Sequence, residues 1–232
     1  MSKYRHEYKY IINKKEENIL LIRAQGLLSR DVHVNEDGSY IITSLYFDDY
    51  DNSCFAENES GTDPRSKFRI RYYNDNSEYL KLEKKTKKRG MTLKESCKIT
   101  KEECIRIING DIPRETEGRS QMAVKLFTEM RLRNMIPKVI VSYERIPYIY
   151  PAGNVRVTFD RSIYSSNDIS GFLEGDFMKR PILPIGKSIM EIKWDELLPL
   201  HIKENLHIDS LQWSTFSKYA LCRKYNLNGE IK

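Results

Sequence analysis

The chain has 232 residues, 40% hydrophobic and 31% charged, which fits one globular domain spanning 1–232, and β-barrels often reach this length as a single unit. A formal charge of +6 and a pI near 9.0 favour an anionic partner, without separating nucleic acid, phosphate compounds and acidic membrane surfaces. The opening MSKYRHEYKY has no apolar signal region, and no run approaches the roughly 18 apolar residues of a spanning helix, so a cytoplasmic protein is expected.

In chain order, a first strand is predicted at about 4–12, then an amphipathic helix of three to four turns in KKEENILLIRAQGLLS, with Ile19, Leu20, Ile22 and Leu27 at helical spacing. Strands follow at 40–48, 66–73, 78–86 and 91–97, separated by turn signals such as Asn74 to Ser77 and Arg89-Gly90. Thr100 and Glu103 form a capping box for a short helix ending at Asn109-Gly110, and a longer helix at about 119–134 puts Ala123, Leu126, Phe127 and Met130 on one face. Strands at 138–145, 154–161 and 188–194 come next. A last amphipathic helix is predicted from near Trp213, with Phe216, Tyr219 and Ala220 on its apolar side. Cys54, Cys97, Cys104 and Cys222 lie far apart without a CxxC or a nearby His pair, which argues against zinc and disulfides.

Side chains two apart share a face of a strand. On these strands one face is apolar: Tyr8, Tyr10 and Ile12; Phe68, Ile70 and Tyr72; Leu80 and Leu82; Val155, Val157 and Phe159; Met190, Ile192 and Trp194. The other carries Arg5, Lys9, Lys67, Arg69, Arg71, Lys81, Lys85, Lys94, Arg145, Arg156 and Lys193, against only Glu7, Glu83, Asp160 and Glu191. Eight strands are about the minimum for a closed barrel with a small interior. The expectation is therefore an α+β protein: an eight-stranded antiparallel β-barrel with charged faces inward and amphipathic helices packed outside. An excess of cations in a closed space repels itself unless anions or water fill it, and phosphate chains suit both the guanidinium fork and the lysine point charge. The minority carboxylates suit a divalent metal that bridges phosphate oxygens. The plainer reading of any one strand is a solvent-facing side with Lys and Glu paired across strands, and it weakens as the pattern repeats.

The order RHEYKY, SLYFDD, KFRIRYY, LKLEKK, TLKES, VSYER, VRVTFDR, MEIKWDELLP and FSKYALCR, from Arg5 to Arg223, resembles the polyphosphate polymerase domain of the vacuolar transporter chaperone (VTC) family. That family belongs to the triphosphate tunnel metalloenzymes, so the resemblance implies the triphosphate-tunnel barrel. It also implies phosphate contacts from Lys9, Arg69, Arg71, Lys85, Arg145 and Arg156, with Lys218 of FSKY reaching in from the final helix. Glu191 would be the main ligand of Mn²⁺ or Mg²⁺, while Glu7 and Glu83 either assist it or orient a neighbouring cation. Arg5, Lys67, Lys81, Lys94 and Lys193 remain substrate-binding candidates. Ser96 stands where relatives usually carry a second basic residue, which puts grip on one end of the chain in doubt.

Gly186-Lys187-Ser188 ends like a P-loop, but Pro181 occupies the required earlier glycine and a strand follows, so it reads as a loop. The run Lys84 to Arg89 reads as a solvated turn at the tunnel mouth rather than a nucleic-acid patch. His6, His33, His201 and His207 have no ligand spacing. The expected function is transfer of the terminal phosphoryl group of ATP to polyphosphate, with no nucleic-acid partner and with a membrane partner for the product left open. A metal-dependent triphosphatase and a non-catalytic sensor of polyphosphate or inositol phosphates are the alternatives.

Overall fold

The computed structural model describes residues 4–213 and 216–229, the last four of these by backbone alone. In chain order the elements are β1 (His6–Asn13), α1 (Lys14–Leu27), β2 (Ser29–Arg30), β3 (Tyr40–Asp48), α2 (Ser53–Glu59), β4 (Arg65–Tyr73), β5 (Asn76–Lys88) and β6 (Met91–Ile99). They continue as α3 (Lys101–Ile108), α4 (Gln121–Leu132), β7 (Ile136–Tyr150), β8 (Val155–Ser166), β9 (Arg180–Pro181), β10 (Lys187–Trp194), α5 (Leu200–Asn205) and α6 (Lys218–Gly229). The eight long strands pair antiparallel in the order β1-β10-β8-β7-β3-β4-β5-β6, with the two-residue strands β2 and β9 appended to β7 and β8. The sheet curls until its edges meet at one point: Arg5 N–H donates to Thr92 O at 3.0 Å and Thr92 N–H to Arg5 O at 2.9 Å.

The expected alternation sets this architecture. Phe68, Ile70, Tyr72, Leu80 and Leu82 turn outward and are buried beneath side chains of α2, α3 and α4, among them Cys54, Ile107, Leu126 and Phe127, whereas α6 turns Tyr219 to the inner side, where its ring stacks on Tyr46. Val157, Phe159, Met190 and Ile192 form a second core with Leu20 and Ala24 of α1 and Ile202 of α5. Each fully buried side chain of this size contributes about 1.5–3 kcal/mol, so the core lies between barrel and helices. That leaves the inner face free for charge.

Local signals place most boundaries. Asn13 caps α1 and Thr100 caps α3, each in a reciprocal capping box with Glu16 and Glu103. The β5–β6 hairpin turns at Arg89 and Gly90, both with positive φ, as a tight two-residue turn requires. Several expectations need correction. α2 and α5 were not foreseen, and Ile22 is 70% exposed because α1 buries Glu17, Leu20 and Ala24 instead. α6 begins at Lys218, not near Trp213, which lies beside Tyr10 as an isolated bridge. The run Lys84 to Arg89 is largely strand: Lys84 points out to Glu129 of α4 at 2.5 Å, while Lys85 and Lys87 face inward.

Candidate functional site

Strand register assembles the inner face in rows. Across β4, β5 and β6, Lys67 lies opposite Lys85 and Lys85 opposite Lys94; Arg69 opposite Glu83 and Glu83 opposite Ser96; Arg71 opposite Lys81 and Lys81 opposite Lys98. From the other side, Glu7 faces Lys193 and Lys9 faces Glu191 across β1 and β10, and Arg145 faces Asp160 across β7 and β8. The cavity between these strands opens to solvent and has a volume of about 490 Å³. Thirteen lysines and arginines line it among the described residues, against two carboxylates, Glu7 and Glu191. A space so unbalanced is built to hold negative charge.

Buried carboxylates and tyrosines aim the cations. Glu83, 1% exposed, receives Arg69 through Nε at 2.7 Å and Nη2 at 2.5 Å. Asp160 takes a two-pronged contact from Arg145 at 2.6 and 2.7 Å and lies 2.5 Å from Lys218. Tyr46 Oη accepts from Arg69 at 2.9 Å, and Tyr40 Oη accepts from Arg156 at 2.9 Å. Arg71 is held more lightly, by Ser44 Oγ at 3.1 Å and Tyr143 Oη at 3.4 Å, with Glu83 at 3.9 Å. Planar guanidiniums fixed in this way lose little freedom on binding a phosphate.

The charge states follow from these contacts. Burial alone would raise the Glu7 carboxyl, but Lys85, Lys9 and Lys193 together hold it well below the usual carboxylate range. Glu191 behaves alike: burial is outweighed by Lys193, Lys218, Lys9 and Arg145. Burial would discharge Lys218, yet Asp160 and Glu191 raise its pKa. Lys67 is the opposite case. Its ammonium donates to Ser217 Oγ at 2.6 Å, and burial, with Lys9, Lys85 and Arg65 nearby, lowers its pKa well below the ordinary lysine value. Glu7 helps to keep Lys85 charged, but burial and the neighbouring Lys193 and Lys9 bring it down to about 7.

The structure brings together on this cavity Arg5, Glu7, Lys9, Lys67, Arg69, Arg71, Lys85, Lys94, Arg145, Arg156, Glu191, Lys193 and Lys218. It does not bring Lys81 to the lining, where that residue is exposed at a separate small groove, and Glu83 lies behind Arg69. Sequence reasoning missed Tyr40, Tyr46, Tyr73 and Tyr143, which line the cavity, and Lys87 and Arg65 beside them, and it assigned to the apolar side of the last helix Phe216 and Tyr219, which also line the cavity. Alternation carried the signal for two of them: Tyr73 and Tyr143 lie two residues from Arg71 and Arg145 on the same strands.

A divalent cation fits part of this donor set. Glu7 Oε1 is buried and accepts no hydrogen bond, with Lys193 at 3.3 Å and Lys85 at 3.7 Å, and Glu191 faces the same cavity. No group of three or more metal-ligating side chains occurs among the described residues. Phosphate oxygens and water would therefore complete the shell, as is usual for Mg²⁺. Glu83 does not fit, because Arg69 occupies its Oε2 and Lys94 donates to its Oε1 at 3.4 Å.

The family model of the VTC domain matches residues 4–226. Among solved structures, a Hippeastrum protein described as a candidate adenylyl cyclase with a dominant triphosphatase activity is similar at TM-score 0.56 and 14% identity, over 97% of this chain and 96% of that one. A candidate adenylate cyclase from Bacillus halodurans gives 0.50 at 14% identity over 88% and 86%, and a Pyrococcus horikoshii protein 0.50 at 15% over 96% and 99%. At these identities the likeness is one of fold. No curated protein sequence matches the chain.

Proposed function

The chain belongs to the VTC domain family, and on that premise we propose that it is a polyphosphate polymerase, which moves the terminal phosphoryl group of ATP onto a growing polyphosphate chain. The observation that carries the reading is the cavity itself: many fixed cations and, among the described residues that line it, no carboxylate free to act as a general base. Glu7 and Glu191 are each ringed by lysines and are the candidate metal ligands, so neither is free to take a proton from water. An acceptor phosphate already carries nucleophilic oxygens and needs no base. An attacking water does, which ranks triphosphate hydrolysis second, although the Hippeastrum neighbour is described as a triphosphatase.

In this reading Arg69, Arg71, Arg145 and Arg156 clamp phosphate oxygens, Lys9, Lys85 and Lys218 supply point charge, and Arg5, Lys67, Lys94 and Lys193 extend the grip. An oxygen of the acceptor phosphate forms a bond to the γ-phosphorus as the bond to the β,γ-bridging oxygen breaks, and ADP leaves. The fixed cations are pre-positioned for charge spreading over the transferred group, so positioning and electrostatics lower the barrier. Glu191 and Glu7 would hold Mn²⁺ or Mg²⁺, which when bound supplies Lewis-acid stabilisation of the same oxygens. Among the described residues no helix is long and apolar enough to cross a membrane. We place the reaction in the cytoplasm, with ATP and polyphosphate as ligands and without nucleic acid.

Two measurements test the assignment. Incubation with ATP and Mn²⁺ should yield long chains that resist DNase and RNase and are degraded by a polyphosphatase. Tripolyphosphate should also displace bound polyphosphate far better than duplex DNA of equal charge. Equal competition by DNA would remove the tunnel from the account.

A further inference from the structure

The inner face of the sheet does not stop at the cavity. Among the described residues β1 and β6 meet only at Arg5 and Thr92, and farther along the inner face of β6 Lys94, Ser96 and Lys98 are all exposed. Lys98 lies directly opposite Lys81 on β5, and Lys81 directly opposite Arg71, whose guanidinium lines the cavity. Three cations thus stand side by side across three strands. Like charges directly opposite each other on neighbouring strands destabilise a sheet unless something intervenes.

Among the described residues no acid fills that role. Neither Lys81 nor Lys98 has an ion-pair or hydrogen-bond partner among the described residues. The carboxylates of β5 are engaged elsewhere: Glu78 holds Lys101 at 2.7 Å, and Glu83 holds Arg69. Lys81 and Lys98 also border the same small surface groove, together with Glu78, whose carboxylate Lys101 holds. Adjacent strands are about 4.8 Å apart, which sets the three cations along a path of roughly 10 Å from the cavity to the open edge.

We propose that Lys81 and Lys98 form an outlying subsite for a linear polyphosphate, over which a chain longer than the cavity can hold leaves past β6. The subsite rests on the polyphosphate reading of the cavity and adds to it a direction of exit and a dependence on chain length. A triphosphate is confined to the cavity and does not reach these lysines. A long chain does.

The test compares tripolyphosphate with a linear polyphosphate several times longer, each titrated into the wild-type chain, a Lys81→Ala/Lys98→Ala variant and a Lys15→Ala/Lys203→Ala control that loses the same charge from exposed positions on α1 and α5. Thermal unfolding confirms that all three fold. The expected result is unchanged tripolyphosphate affinity in the Lys81/Lys98 variant, with the advantage of the long chain reduced by roughly three- to tenfold, the scale of two exposed ion pairs. The control should keep the full advantage. An undiminished long-chain advantage in the Lys81/Lys98 variant, or an equal loss in the control, would overturn the subsite. Lysines that merely guard an open sheet edge would instead show aggregation on substitution with no change in long-chain binding, and that result too would overturn it. Failure of the wild-type chain to bind tripolyphosphate at all would remove the underlying reading first.

Discussion

Lys218 Nζ lies 2.8 Å from Glu191 Oε1, so the first residue of α6 is tied to the inner face of β10. Glu191 also receives Lys193 at 2.7 Å on its other oxygen, and Arg145 at 3.4 Å. A carboxylate so surrounded can take up a divalent cation only as incoming phosphates draw the lysines away. In the proposed reaction metal and substrate binding would thereby be coupled. Glu191→Gln should lower metal-dependent turnover by about 10²–10³, the scale for loss of one transition-state-stabilising group, while affinity for tripolyphosphate without metal does not fall. Steady-state rates against Mn²⁺ concentration check this. A variant that turns over normally would show that Glu191 holds no catalytic metal.

Arg71 and Arg69 lie two residues apart on β4 but should fail differently. Arg71 is held mainly by neutral hydroxyls, so Arg71→Ala should leave folding nearly intact and weaken triphosphate binding by about 1.5–3 kcal/mol, roughly ten- to 150-fold in Kd. Calorimetric titration reads the change directly.

Arg69 is the main partner of the buried Glu83, and Arg69→Ala strands that carboxylate. A loss of about 3–5 kcal/mol in folding stability is expected. The double variant Arg69→Met/Glu83→Met should recover much of that loss, because no unpaired charge stays buried. Urea unfolding of the three proteins decides the point, and a double variant no more stable than Arg69→Ala would contradict it.

Lys85, brought down to about 7, is largely neutral in the ligand-free cavity at mildly alkaline pH, and burial lowers Lys67 in the same direction. A polyanion stabilises their charged forms and raises both pKa values, so binding takes up protons and affinity falls as pH rises from 7 toward 10. Titration at pH 8 in two buffers of different ionisation enthalpy counts those protons. A count of zero would mean that these lysines are already charged.

Acid should act on folding through the opposite group. The folded-state pKa of Glu7 lies below its unfolded value of about 4.3, so its ion pairs stabilise the fold fully above that pH and less as pH falls through the folded value. Melting temperature should drop below pH 4 in the wild-type chain and drop less in Glu7→Gln. Equal slopes would assign the acid sensitivity to other carboxylates.

The long strands and their charged and apolar faces were legible because period-two alternation runs unbroken through segments such as KFRIRYY and EYLKLEKK. α2 and α5 were not, since helices of seven and six residues carry too little periodicity to stand out. Within the site, the basic positions could be read from alternation, but Lys218 rests on family resemblance, because nothing in its local spacing says that α6 reaches Asp160 and Glu191. The tyrosines were hidden by their chemistry. Tyr72 turns outward into the core and Tyr73 inward to the cavity, and only the strand's phase tells them apart. The fate of Lys81 depended on how far the cavity extends along β5, a property of the barrel's closure that no single strand records.

The central claim is a phosphoryl transfer between phosphates inside a cationic cavity, and phosphorus NMR of the protein with ATP and Mn²⁺ followed over time tests it most directly. Growth of the resonance of internal chain phosphates in step with ADP is the predicted result. Accumulation of orthophosphate alone, or ATP lines that broaden on binding and never change, would contradict it.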